Sequence, residues 1–208
     1  MDADVKEKID EAIEFFKTQG AEFVELSMPN ISNALACYYI LSSAEAASNL
    51  ARFDGIKYGV RGEGYANLND LYVKSRTQGF GKEVKRRIML GNYVLSSGYF
   101  DAYYNKGKAL QRLLIKQFND VFKSCDLVIS PTSPTVAFKI GEKANDNLSM
   151  YLSDIYTVPV NIAELPALSI PCGKNKIGLP IGLQFIGPKF SEPLLFNTAD
   201  YFEQKCGK

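Results

Sequence analysis

Residues 178–187, Gly-Leu-Pro-Ile-Gly-Leu-Gln-Phe-Ile-Gly, together with Leu168-Ser-Ile-Pro171 just before them, decide the fold class of this 208-residue chain. Both are short apolar segments, and the Gly173-Lys-Asn-Lys176 turn region joins them, so the pair reads as a β-hairpin. Upstream, Cys125-Asp-Leu-Val-Ile-Ser130 reads as a buried strand stopped by Pro131. Around these strands the apolar spacing changes from two to three and four, which is the helical period. Strands and helices therefore interleave along the chain, and the fold class expected is α/β: a mixed β-sheet flanked by helices in one layered structure.

Val5, Ile9, Ala12, Ile13 and Phe16 recur at helical spacing, with Gly20 placed as a C-terminal cap. Residues 21–28 alternate around Phe23, Val24, Leu26 and Met28 and are expected to form a strand ending at Pro29. Residues 31–53 are rich in Ala, Leu and Ser without Gly or Pro, which predicts a buried helix. The glycine-rich stretch 54–70 reads as a loop. A second helical region covers residues 79–91, is interrupted near Gly91 or Gly98, and resumes over 106–123 with Leu110, Leu113, Leu114, Phe118, Val121 and Phe122 on one stripe. Residues 139–148 read as a polar loop, and 194–204 as a last helix.

Composition removes several function classes. The 24 basic residues nearly cancel the 23 acidic ones, so the molecule as a whole lacks the positive field of a protein devoted to nucleic acid. There is no histidine, which excludes Ser-His-Asp and Cys-His catalysis and leaves Lys, Asp, Glu or Tyr as the available bases. Cys37, Cys125, Cys172 and Cys206 form no C-x-x-C pair and are expected to be reduced and structural in a cytosolic protein. No apolar run approaches the roughly 18–20 residues of a membrane span, so a soluble protein is expected.

Six stretches invite a chemical reading. Ser96-Ser97-Gly98 has bulky neighbours that keep backbone amides from a reacting carbonyl, and it reads as a helix break instead of a nucleophile loop. Pro131-Thr-Ser-Pro-Thr135 follows a strand at the place where open sheets bind ligands, yet the same hydroxyls also suit a self-satisfied rigid turn. Tyr38-Tyr39 and Tyr103-Tyr104 are packing elements unless something more specific engages them. Asp154 sits among Leu152, Ile155 and Tyr156, where an acid accepts hydrogen bonds or pairs with a cation. Finally, residues 79–91, Gly-Phe-Gly-Lys-Glu-Val-Lys-Arg-Arg-Ile-Met-Leu-Gly, hold four cations interrupted by Glu83. Successive helical residues diverge by about 100°, so Lys82, Lys85, Arg86 and Arg87 cannot all face one groove, and a solvated helix face is the plainer reading.

Taken in order, Tyr38-Tyr39, Ser48-Asn-Leu-Ala-Arg-Phe-Asp-Gly-Ile-Lys-Tyr-Gly59, the 79–91 block, Ser96-Ser-Gly-Tyr-Phe-Asp-Ala-Tyr-Tyr104, Pro131-Thr-Ser-Pro-Thr135 and Gly178-Leu-Pro-Ile-Gly-Leu-Gln-Phe-Ile-Gly187 resemble the amidase-signature family. Within it they resemble the C-terminal part of the A subunits of glutamyl-tRNA(Gln)/aspartyl-tRNA(Asn) amidotransferases. The last block is general to amidases, whereas the Arg52-Phe-Asp-Gly55 and 79–91 blocks are similar to the amidotransferase subunits in particular.

The resemblance implies a glutaminase that supplies ammonia to a charged tRNA through a Ser, cis-Ser, Lys triad, chemistry that needs no histidine. The glycine- and serine-rich nucleophile loop and the lysine of that triad have no match here, so the chain is expected to be a fragment of a single amidase-signature domain, inactive alone, with no catalytic residue of its own. What does carry over is glutamine recognition: Arg87 for the α-carboxylate, Asp154, shortly before Val158-Pro-Val-Asn161, for the α-amino group, and Tyr38 lining the pocket. A zwitterion suits one cation and one anion held apart. The implied partners are glutamine, the B and C subunits and, through the complex, tRNA, with no membrane. No cofactor is expected in this chain, ATP and Mg being used by the partner subunit. Another amidase acting on simple amides, and a non-catalytic binding or assembly module, remain open readings.

Overall fold

The two apolar segments pair as expected. In the computed structural model, which describes residues 1–144 and 146–206, β2 (Ala167–Lys174) and β3 (Pro180–Ile186) form an antiparallel hairpin. The strand β1 (Val128–Pro131) lies antiparallel on the other side of β3, giving the order β1-β3-β2. Phe185 stands opposite Ile129 on one neighbour and Leu168 on the other. The register of β2 shifts between Pro171 and Gly173, a bulge at which Gly173 adopts φ +146°.

By their contacts the described residues divide into two compact units, the first made of residues 1–35 and the chain from Gln111 onward, the second of residues 36–110. In the first unit the alternation of β3 sets the packing. Ile181, Leu183 and Phe185 point to one side, where Val5, Ile9, Ala12 and Phe16 of α1 (Ala3–Thr18) and Leu195, Ala199 and Phe202 of α8 (Glu192–Cys206) complete the core. Phe16 meets Phe185 edge-on at 5.8 Å and stacks on Phe202 at 5.5 Å, geometries that aromatic rings prefer. Gln184, one step out of phase, is buried on the opposite face and donates to Ser130 Oγ at 2.9 Å and to the Tyr156 carbonyl at 3.0 Å. Two short helices, α6 (Asn147–Leu152) and α7 (Val158–Ala163), precede β2.

The second unit holds most of α2 (Ala34–Leu50), then α3 (Leu68–Gly79), α4 (Lys82–Leu95), a π-helical segment (Phe100–Asn105) and the start of α5 (Lys106–Val121). α4 and α2 touch at Gly91, where an added Cβ would lie 2.0 Å from the Ser43 carbonyl oxygen. Nearby, the Cys37 thiol donates to the Gly107 carbonyl at 3.3 Å.

Several expectations need correction. Residues 21–28 form no strand: Phe23 and Val24 are exposed, and no described strand pairs with this segment, so alternation found no ladder to join. The helix expected over 31–53 is shorter, with a 3-10 turn at Ile31–Asn33 before α2. Of the two interruption points expected, Gly91 is passed unbroken by α4, and the break near Gly98 is the one found, between Leu95 and Phe100. The helix α3 was not anticipated, although Asn67 caps it by accepting from the Asp70 amide at 3.0 Å. β1 starts three residues later than expected and includes Pro131 as its last residue. The polar 139–148 stretch forms turns up to Ala144 and the first turns of α6 from Asn147, and Asn145 lies outside the described residues.

Candidate functional site

The 79–91 block is built as a helix with two dissimilar sides. Gly91 and Val94 are buried, and Val84, Arg87 and Ile88 fall on the same side at helical spacing. The other side carries Lys82, Lys85, Arg86, Met89 and Leu90, which line an open hollow of about 560 Å³. Met89 there is 73% exposed. The four cations therefore do not act together, as the 100° divergence required, and Arg87 is the one set apart.

Arg87 is held on several sides within the second unit. Its Nε donates to Glu83 Oε1 at 3.1 Å, one helical turn back. Its guanidinium lies over the ring of Tyr39, 5.3 Å from the centroid, and is hydrogen-bonded to the Tyr38 side chain. Partial burial works against the charge, but the bonds to Glu83 and Tyr38 outweigh it and raise the Arg87 pKa above its ordinary value. The group is a permanent cation at any physiological pH. Tyr38 and Tyr39, edge-to-face at 5.3 Å, come from α2, so the two helices that meet at Gly91 also bring the tyrosine pair to Arg87. A partly buried guanidinium on an aromatic face has the donors to take a planar carboxylate.

Of the three residues expected to bind substrate, the structure brings Tyr38 and Arg87 together. Asp154 belongs to the first unit, in the turn between α6 and α7. Its carbonyl accepts from the Val158 amide at 3.0 Å and from the Thr157 amide at 3.1 Å, and its side chain is exposed instead of buried among its apolar sequence neighbours. Val158-Pro-Val-Asn161, which follows, opens α7 with Pro159 near its start, where the missing amide hydrogen is harmless.

The remaining motifs resolve into architecture. Ser96 ends α4, its hydroxyl donating to the Tyr93 carbonyl at 2.7 Å, and Ser96, Ser97 and Gly98 are all exposed. In the Pro131-Thr-Ser-Pro-Thr135 turn, the Thr132 and Ser169 hydroxyls share a hydrogen bond at 2.6 Å, and Thr135 donates to the Val136 carbonyl at 3.1 Å. The Arg52-Phe-Asp-Gly55 block is a turn device. Asp54 Oδ1 accepts from the amides of Ile56 at 2.8 Å and Lys57 at 3.1 Å, which holds its carboxyl below the ordinary range, and Gly55 supplies φ +78°. Tyr103 joins Tyr93 and Tyr99 in an exposed aromatic cluster, while Tyr104 stacks on Phe100 at 5.0 Å. Among the described residues no group of His, Cys, Asp or Glu side chains could hold a metal ion, and no helix is long and apolar enough to cross a membrane.

Sequence reasoning missed Glu83, treating it as an interruption of the basic run. Its spacing was the available signal: an acid three and four residues before two arginines lies on their side of a helix. Glu83 Oε2 accepts from Arg86 at 2.8 Å while Oε1 takes Arg87.

The family model described as Amidase matches residues 1–196. The chain is 57% identical over 200 residues to the A subunit of glutamyl-tRNA(Gln) amidotransferase from Caldanaerobacter subterraneus, covering 96% of this chain and 41% of that protein. It is 55% identical over 204 residues to the protein of the same name from Clostridium botulinum, covering 98% and 42%. The crystal structure of the Thermotoga maritima protein, likewise the A subunit of glutamyl-tRNA(Gln) amidotransferase, superposes with TM-score 0.72 at 35% identity, over 98% of this chain and 39% of that one. Allophanate hydrolase of Kluyveromyces lactis, at 22% identity, shares the fold with TM-score 0.74, over 99% of this chain and 30% of that one. The chain thus spans about two fifths of the length of the curated relatives it matches.

Proposed function

Because this chain belongs to the amidase family, we propose that it supplies the glutamine-recognising part of an amidotransferase A subunit. In that role it serves an enzyme that hydrolyses glutamine and delivers the ammonia that converts Glu-tRNA(Gln) to Gln-tRNA(Gln) for translation. The observation that carries the reading is the isolated Arg87 guanidinium, fixed by Glu83 and resting on Tyr39 with Tyr38 beside it. Arg87 takes the α-carboxylate of glutamine as a charge-assisted pair, Tyr38 lines the same place, and Asp154 takes the α-amino group. A substrate gripped by its α-carboxylate is oriented by binding energy, which leaves its side-chain amide for the nucleophile. The nucleophile and base are a Ser, cis-Ser, Lys triad outside this chain. B and C subunits complete a cytosolic complex, in which the partner subunit uses ATP and Mg to activate the tRNA-borne glutamate.

Two measurements test this. The purified 208-residue chain releases no ammonia from glutamine; release above a heat-inactivated control would refute the division of labour. In the assembled amidotransferase carrying this sequence, Arg87→Ala removes a charged hydrogen-bond partner, an interaction of about 1.5–3 kcal/mol, and so raises the glutamine KM roughly 10- to 100-fold. Arg86→Ala, on the hollow side of α4, changes it by less than about threefold. Equal effects of the two substitutions would overturn the assignment.

A further inference from the structure

We propose that Glu83 is a positioning residue: it sets which edge of the Arg87 guanidinium meets a ligand carboxylate, and Arg86 steadies it in that task. The inference rests on the reading of Arg87 as the carboxylate receptor and goes beyond it.

A guanidinium can grip a carboxylate in two bidentate ways, side-on through Nε and one Nη, or end-on through both Nη atoms. In this structure Nε–H is engaged by Glu83 Oε1 at 3.1 Å. The side-on edge is thereby occupied by an internal carboxylate, and a ligand carboxylate meets Arg87 end-on. Two further contacts define the plane and reach of the group: the Tyr39 ring beneath it, at 5.3 Å, and the Tyr38 hydrogen bond. Of these three contacts the one to Glu83 takes the Nε edge.

Glu83 is itself well placed to be rigid. It sits in the first turn of α4, where the helix dipole favours an acid. Its second oxygen, Oε2, accepts from Arg86 Nη1 at 2.8 Å. The carboxylate is therefore spanned by two successive arginines, and the three side chains together carry a formal charge of one positive unit, which a single ligand carboxylate neutralises. Arg86 belongs to the hollow side of α4 and is joined to the site through Glu83, so a change there is felt weakly, whereas loss of Glu83 frees Nε and lets the guanidinium rotate.

The plain alternative is a half-exposed helical ion pair of the ordinary kind, which contributes little to anything. The two differ in a measurement that a structural role would not move. In the assembled amidotransferase, Glu83→Ala raises the glutamine KM about tenfold with kcat changed less than about twofold. Glu83→Gln keeps an oxygen that accepts from Nε, and it restores the KM to within about threefold. In a cycle with Arg87→Ala, the Glu83→Ala effect disappears, since nothing is left to orient. Thermal midpoints of the Glu83 variants stay within about 2 °C of the parent, as for other exposed ion pairs.

The outcomes separate the two layers of the argument. If Arg87→Ala leaves KM unchanged, the carboxylate reading itself fails. If Arg87→Ala raises KM but Glu83→Ala does not, or if Glu83→Ala acts equally with and without Arg87, the positioning role alone is overturned. Should Glu83→Ala reduce folded yield, Glu83→Met, which keeps the bulk of the side chain without an acceptor, takes its place in the cycle, and full additivity with Arg87→Ala there refutes the proposal.

Discussion

Replacing Gly91 by alanine tests the link between packing and recognition with an effect whose sign is the decisive quantity. In an exposed helix, Gly→Ala stabilises by about 1 kcal/mol. Here the new Cβ would lie 2.0 Å from the Ser43 carbonyl oxygen, 2.6 Å from its carbonyl carbon and 2.7 Å from the Ala47 Cβ. Two of those atoms are backbone, so no rotamer change relieves the clash. Ordinary contact begins near 3.5 Å, which means that α4 and α2 must part by roughly 1.5 Å. Overpacking of this kind costs about 1–3 kcal/mol, and the lost contact on both sides of the widened seam adds to it. The propensity gain offsets about 1 kcal/mol, leaving a net destabilisation of about 1–2 kcal/mol and a thermal midpoint lower by roughly 2–8 °C for a chain this long. Arg87 lies one turn before Gly91, and its Tyr38 and Tyr39 partners are on α2, so the same separation opens the site. A displacement of about 1 Å is enough to lower activity by up to ~100-fold. Circular dichroism melts and glutamine binding by calorimetry on parent and Gly91→Ala proteins check both limbs. An alanine variant as stable as the parent, or more stable, would refute the close-approach argument.

Two other predictions concern titration. Burial pushes the Cys172 thiol up to about 11, with its own backbone and charged neighbours as lesser influences. At pH 8 it therefore reacts with a disulfide reagent roughly a hundredfold more slowly than an ordinary thiol, and rapid labelling of Cys172 in peptide mass spectra would contradict its placement. The hydrogen bond to Tyr99 pushes the Tyr93 phenol up to about 12. The folded phenol holds its proton more tightly than an unfolded tyrosine, near 10. The cluster consequently favours the fold below pH 10 and loses that contribution as pH rises from about 10 to 12. Ultraviolet titration of parent and Tyr93→Phe proteins shows one fewer late-titrating phenol in the variant; identical curves would dissolve the cluster.

How much was legible in the sequence depended on whether a neighbour had to be known. The β2/β3 hairpin and α1 could be read because their apolar residues repeat at the period of the element they form, and the same residues build the core. Residues 21–28 show the limit, since alternation marks a chain able to pair without supplying a partner. Gly91 shows it differently. Glycine in a helical stretch reads as a weak point, yet it is where α4 meets a backbone carbonyl of α2, a reason that lies 48 positions away. α3 was missed beside its glycine-rich loop, although Asn67 and Asp70 carried a capping signal. At the site, one guanidinium singled out among four cations was readable from helical divergence and family resemblance. Its support was not, because Glu83 looked like noise in a basic run and Tyr39 like packing.

The first unit is closed by its two ends. Val5, Ile9 and Phe16 of α1 pack in one core with Ile181, Leu183 and Phe185, which lie about 165 or more residues later in the chain. At synthesis rates of about 5–20 residues per second, α1 leaves the ribosome roughly 8–35 s before its sheet exists. Throughout that interval the strands that cover its apolar stripe in the finished unit have not been made, whereas the residues of the second unit are contiguous. The arginine and its tyrosines, all within residues 36–110, are thus synthesised before β3, which the first unit's core requires.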